Sequence, residues 1–135
     1  MIRAVTRAAY AKWVPVIGRE PWPMVADYDV AVRDHQIDLL IVDGTLVALV
    51  EMIAQPDCLL IENLAVAPAH QSRGYGRLLM QHAEQVAEAL EHRTLRLYTN
   101  QRFSENIALY GRLGYQVDRE EAVSVGMVVH MSKTL

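Results

Sequence analysis

A single cysteine, Cys58, is all the thiol chemistry this 135-residue chain carries. That excludes an intrachain disulfide and suits a reducing compartment. An excess of positive charge is also missing. The formal net charge is −3, so no global basic field attracts nucleic acid, and any anion site must be local. No apolar run approaches about 20 residues, which excludes an ordinary membrane-spanning helix. The start, "MIRAVTRAAYAKW", breaks its apolar residues with Arg3, Arg7 and Lys12 and does not resemble a signal peptide. There is no internal repeat, linker or low-complexity segment. What remains is the profile of a single cytoplasmic domain over 1–135, half apolar and able to bury a core.

The periodicity supplies the elements. Ile2, Val5, Ala9 and Trp13 fall at helical spacing, so 1–14 is expected as an amphipathic helix. The Pro- and Gly-rich stretch 15–24 is expected as a loop, and 24–35 as a second helix. The period then shortens. Strands are expected over 37–43 and 45–53, joined by the two-residue turn signal Asp43-Gly44. A third strand, 58–67, stops at Pro68. The helix 74–91 should bury Leu79, Ala83, Val86 and Leu90. A strand at 94–99 follows, then a short helix 104–113 with Ser104 as N-cap and Gly114 as its stop. "YQVDRE" and "VGMVVHMSK" close the chain as strands. The strand–helix–strand unit 58–99 implies one parallel pair inside an otherwise antiparallel sheet, a mixed α/β (α+β) architecture with helices on its faces.

The stretch "HQSRGYGRLL" (70–79) stands where a strand hands over to the longest helix. A helix N-terminus presents unpaired N–H groups and about half a positive charge, a natural seat for a phosphate. Glycines there let the ligand come close. No Lys-Ser/Thr pair follows, which excludes a Walker loop. The G-x-G-x-x-G dinucleotide fingerprint fails because Leu79 holds the third position. The pattern that remains is Q-x-x-G-x-G: Gln71, Gly74, Gly76.

In "LAVAPAHQSRGYG" and, further on, "NIALYGRLGY" (106–115), the chain resembles the GNAT family, the Gcn5-related N-acetyltransferases. The resemblance covers about residues 36–135. It implies a central parallel strand pair splayed at the cofactor site, and acetyl-CoA as acyl donor with no metal. It seats the pyrophosphate on the backbone N–H groups from about Arg73 through Gly74, Tyr75 and Gly76 to Arg77, and counts Gln71 and Ser72 among the cofactor-binding residues. It runs the pantetheine arm along Leu64, Ala65 and Val66, with Asn106 orienting it. The strand with which family members usually begin has no counterpart before the first helix: either it is absent from this chain or the start is truncated. Its loss would leave 37–43 as a sheet edge, exposed or covered by a second copy in a homodimer.

The same resemblance makes Tyr110 the proton donor to the departing thiolate. Asn106, four residues earlier, shares its helix face. Glu62 is the first candidate for base, since an apolar surround would raise its pKa; it is expected on one strand face with Leu64 and Val66. Glu51 and His130 are further candidates, and His130 also reads as a buried structural histidine. Trp13 and Trp22, with Tyr10, flank the proline-rich loop as a substrate wall. Cys58 reads as a buried strand residue, since no basic partner stands beside it. The reaction expected is transfer of an acetyl group to a small amine or a protein N-terminal amine, by direct attack in a ternary complex. The rival is a non-catalytic acyl-CoA-binding module.

Overall fold

A computed structural model describes residues 2–17, 22–25, 35–123 and 126–135. The chain opens with helix α1 (Ile2–Tyr10), a 3₁₀ turn (Ala11–Trp13) and the single-turn helix α2 (Val14–Ile17). The described part of the expected loop 15–24 is thus helical, at 15–17 and 22–24. Pro15 sits in the first turn of α2, where a missing N–H breaks no helical bond. Helix α3 (Trp22–Val25) follows; of the helix expected over 24–35, residues 26–34 lie outside the described residues and His35 is in a bend.

Strands β1 (Gln36–Val42), β2 (Thr45–Ala54) and β3 (Leu59–Val66) form an antiparallel meander. The β1–β2 turn is the two-residue one that Asp43-Gly44 predicts. Both residues are left-handed, with φ of 51° and 78°, and Val42 pairs with Thr45. Helix α4 (Tyr75–Ala89) crosses over to β4 (Thr94–Asn100), and β3 and β4 form the parallel pair. Helix α5 (Ser104–Arg112) and the hairpin β5 (Gln116–Val123) and β6 (Gly126–Thr134) complete a six-stranded sheet of order β1-β2-β3-β4-β6-β5.

The sheet has a core on each face. On one, α4 buries Leu79, Met80, Ala83 and Ala87 against Val50, Met52, Leu59, Ile61, Leu95 and Leu97. Leu90, expected at the foot of that stripe, lies beyond the last helical turn and is 44% exposed. On the other face, Ala9 and Tyr10 of α1 pack with Met24, Leu49, Ala65 and Phe103. Val47 to Val50 of β2 have no exposed surface because β2 is central and covered on both faces.

Two details at α5 differ in outcome. Ser104 is its first helical residue, not its cap; Phe103 holds that place, with no side-chain capping bond. The chain is turned into α5 by Asn100 instead. Its Oδ1 accepts from the Arg102 N–H at 2.9 Å, and its carbonyl accepts from the Phe103 N–H at 2.9 Å. Gly114 ends α5 as expected, at φ 97°.

Candidate active site

The parallel pairing of β3 with β4 is short. It registers Leu59, Leu60 and Ile61 against Leu95, Arg96 and Leu97, and goes no further. Immediately beyond lies a β-bulge. Glu51 pairs with Asn63 and Met52 with Ile61, leaving Glu62 as the extra residue of β3. The registered pairing of the two strands ends at this point, and from Leu64 on β3 lines a cleft.

Beyond the bulge, the ladder to β2 continues. The Ala67 N–H donates to the Val47 carbonyl at 2.8 Å. In an antiparallel ladder alternate residues face the partner strand, so Ala65 and Ala67 face β2 while Leu64 and Val66 turn their backbone into the gap. The carbonyls on that side already have side-chain donors. Tyr10 Oη donates to the Leu64 carbonyl at 3.2 Å, and Gln71 Nε2 donates to the Val66 carbonyl at 3.0 Å.

The cleft, of about 420 Å³, runs from this strand to the start of α4 and is closed on its far side by α5. At the α4 end, Gly74 is the N-cap, left-handed at φ 82°, preceded by Ser72 at φ 63°. Leu78 is the first residue whose N–H bonds back to the turn, reaching the Gly74 carbonyl at 3.0 Å. The N–H groups of Tyr75, Gly76 and Arg77 therefore open outward from the helix end. No side chain caps them and no acidic residue occupies the first turn. Helix ends without a cap are expensive to leave dry. A Cβ built on Gly74 would meet nothing within 4 Å, and one on Gly76 would meet only Leu109 and Leu64 side chains at 3.7 and 3.9 Å. The donor set, free N–H groups at a positive helix end plus Arg77, fits a pyrophosphate. The strand edge leading to it fits an extended amide chain bound as an added strand.

The residues singled out in the sequence are largely brought together here. Leu64, Val66, Gln71, Ser72, Gly74, Tyr75, Gly76, Arg77, Asn106 and Tyr110 all line the cleft. Ala65 does not; alternation turns its side chain into the α1-side core. Arg73 is exposed on the turn and is not among the lining residues. Tyr110 is buried, with its ring 6.0 Å from that of Tyr115. Burial pushes its phenol up to about 12, so it stays protonated at neutral pH.

Glu62 is elsewhere than expected. The bulge inverts the alternation of β3, so Glu62 does not share a face with Leu64 and Val66, which pack on the α4-side core. It meets Tyr98, whose neighbours Leu95 and Leu97 point to the α4 side and which therefore faces the other way. Tyr98 Oη donates to Glu62 Oε1 at 2.8 Å, bridging the two strands just past their last registered pair. Burial raises the Glu62 carboxyl above its ordinary value; the Tyr98 bond opposes this and the nearby Glu51 charge reinforces it.

The other candidates gather around the same tyrosine. Glu51, 3% exposed, is bonded to His35 Nδ1 at 2.6 Å. His130 pairs with Tyr98 across β4 and β6, rings 6.2 Å apart. It is only half-buried and bonds Glu121 at 3.1 Å, so it is not the buried structural histidine expected. The side chains of Trp13 and Trp22 lie outside the described residues. Cys58 is buried as expected; burial raises its thiol, which donates to Gln55 Oε1 at 3.2 Å.

Sequence reasoning missed Lys12, His70, Glu105, Leu109 and Arg112 in the cleft. Arg112 stands inside the second motif and Glu105 beside it, so both were within reach. Lys12 gave no signal, because its partners Gln71 and Glu105 are 59 and 93 residues away. Tyr98 was also missed, since an aromatic in a strand reads as packing.

A strand edge opened by a bulge thus leads to an uncapped, glycine-marked helix end. The chain belongs to the acetyltransferase (GNAT) family, whose sequence profile matches residues 4–115. It is 38% identical over 66 residues to N-alpha-acetyltransferase 80 of Mus musculus, a match covering 49% of this chain and 20% of that protein. Its fold superposes on the PaiA N-acetyltransferase from Thermoplasma acidophilum in complex with coenzyme A. The TM-score is 0.81 at 17% identity, covering 99% of this chain and 91% of the other. It also superposes on the ribosomal-protein-S18-alanine N-acetyltransferase from Escherichia coli, with a TM-score of 0.77 at 22% identity, covering 98% and 84%. Among the described residues no helix is long and apolar enough to cross a membrane.

Proposed function

We propose that the chain transfers an acetyl group from acetyl-CoA to a primary amine, by direct attack within a ternary complex. The observation that carries this reading is the continuity of the cleft. The open edge of Leu64 and Val66 leads without interruption to the uncapped N–H groups of 75–77, and Tyr110 stands on the opposite wall. When bound, acetyl-CoA supplies an activated thioester, so positioning accounts for much of the acceleration.

In this reading Leu64 and Val66 hold the pantetheine arm through their N–H groups, and Asn106 orients it from α5. The Leu64 N–H also polarises the thioester carbonyl. Tyr110 donates a hydrogen bond to the sulfur as negative charge develops there. A phenol near 12 is a weaker acid than a free thiol, by about 3 units. A thiolate in the same dry cleft is raised by the same desolvation, which narrows that gap and lets the proton follow the charge. Glu62, across the bulge, receives the proton the amine must lose. Its raised carboxyl is a better base than an exposed glutamate. Glu51 and His130 complete the acceptor side.

The names of two similar proteins, an N-alpha-acetyltransferase and a ribosomal-protein-alanine N-acetyltransferase, support including peptide N-termini among the acceptors. The test is thiol release from acetyl-CoA against a panel of small amines and peptides with free N-termini. Acceptor-dependent release is expected. CoA binding without release for any amine would favour the non-catalytic module instead.

A further inference from the structure

The cleft is lined by three fixed cations, Lys12, Arg77 and Arg112, and among the described lining residues only Glu105 is acidic. A carboxylate weakens an anion site unless something holds it for another purpose. Its contacts supply that purpose. Glu105 Oε2 accepts from Lys12 Nζ at 3.1 Å, and the same Nζ reaches Gln71 Oε1 at 3.4 Å. Lys12 belongs to the 3₁₀ turn after α1, Gln71 to the turn before α4, and Glu105 to the first turn of α5. One ammonium thus joins all three walls of the cleft. The Glu105 carboxylate is favoured in its place by the α5 dipole as well as by Lys12. Both side chains remain well exposed, at 43% and 72%, so the pair is easily parted.

Resting on the reading of this cleft as the CoA site, we propose that Lys12 is a phosphate-binding residue kept in reserve by Glu105. On donor entry Lys12 exchanges the Glu105 carboxylate for a phosphate oxygen. Gln71 keeps its bond to the Val66 carbonyl throughout. Glu105 is a positioning residue that acts through Lys12. Together with Gln71 it holds the ammonium at the cleft mouth. It also sets a small cost that only a phosphate-bearing donor repays.

The reserve role and a simple clamp between α1 and α5 predict opposite signs. Calorimetric titration of CoA is made on the wild-type chain, Lys12→Met, Glu105→Gln and the double variant, at low and high salt. Glu105→Gln should tighten CoA binding by about two- to fivefold, the range of an exposed ion pair. Lys12→Met should weaken it by about tenfold or more, as for loss of one charge-assisted bond, and flatten its salt dependence. In the Lys12→Met background, Glu105→Gln should change affinity by less than about twofold, the signature of coupling. Weaker or unchanged binding in Glu105→Gln overturns the proposal, as does equal tightening in both backgrounds. Thermal melts show whether each variant is folded. A wild-type chain that binds no CoA overturns the cofactor reading and the proposal together, whereas CoA binding indifferent to Lys12→Met overturns the proposal alone.

Discussion

Gly74 separates two reasons for a glycine at a phosphate site, and substituting it twice tells them apart. The residue is left-handed, at φ 82°, and a Cβ added there would meet nothing within 4 Å. In the free protein the cost of a side chain is therefore conformational and not steric. For Gly74→Ala that cost is about 1–2 kcal/mol. At roughly 3–5 °C per kcal/mol for a domain of this size, Tm falls by about 3–10 °C. Gly74→Asn should cost less, because asparagine tolerates the left-handed region better than alanine does. Stability should thus run Gly, then Asn, then Ala. Affinity for CoA should run differently. In the proposed binding mode the pyrophosphate approaches the N–H groups of 75–77 through the open space beside Gly74, so the bulkier side chain obstructs more. Loss of even one charge-assisted bond there is worth about 1.5–3 kcal/mol, tenfold or more in affinity. Affinity should therefore run Gly, then Ala, then Asn. Thermal melts give the first order and calorimetric titration of CoA the second. If Gly74→Asn binds CoA as tightly as the wild-type chain, the pyrophosphate does not sit at this turn.

Tyr110→Phe removes the proposed donor without opening a cavity; kcat should drop by about a hundredfold or more, with CoA affinity nearly constant. An undiminished rate in the thiol-release assay would take Tyr110 out of that role. Tyr98→Phe removes the bond that opposes the rise of the Glu62 carboxyl. The acid limb of the kcat/KM profile should move to higher pH, and an unmoved limb would mean that Glu62 is not the base. A carboxyl raised on folding binds more protons in the native state than in the unfolded one. Stability therefore declines as pH climbs from the ordinary glutamate value of 4.5 through the raised one. Glu62→Gln should flatten that decline in urea titrations run across the same pH range. The buried Asn63 Nδ2 donates to Thr6 Oγ1 at 3.2 Å, tying α1 to β3 beside the bulge. Thr6→Val keeps the shape and deletes the acceptor, at about 1–3 kcal/mol by chemical denaturation. No loss would show the contact to be idle.

Much of the molecule was legible from local chemistry. Apolar runs bounded by turn signals gave β2 and β3, a helical stripe gave α4, and Asp43-Gly44 gave the first hairpin, because each depends on residues close in the chain. The lining of the cleft was legible for the same reason. Leu64 to Arg77 form one continuous segment, and the register of a helix alone places Asn106 beside Tyr110. The errors fall where a distant element intervenes. The stripe of α4 shifts from Leu90 towards Met80 and Ala87 because the sheet, not the pattern, chooses which residues it covers. Ser104 loses its capping place to an entry turn built by Asn100.

By itself the sequence determined the order of the elements from β1 on and the glycine-marked start of α4, since these are encoded by short-range spacing. The tertiary structure decided which way Glu62 points. A bulge is defined only against a partner strand, and one extra residue opposite Glu51 and Met52 turned Glu62 from the cleft side to Tyr98. It also decided that Lys12, Gln71 and Glu105 share one ammonium. Contacts across 59 and 93 residues arise only when three walls close around a common space.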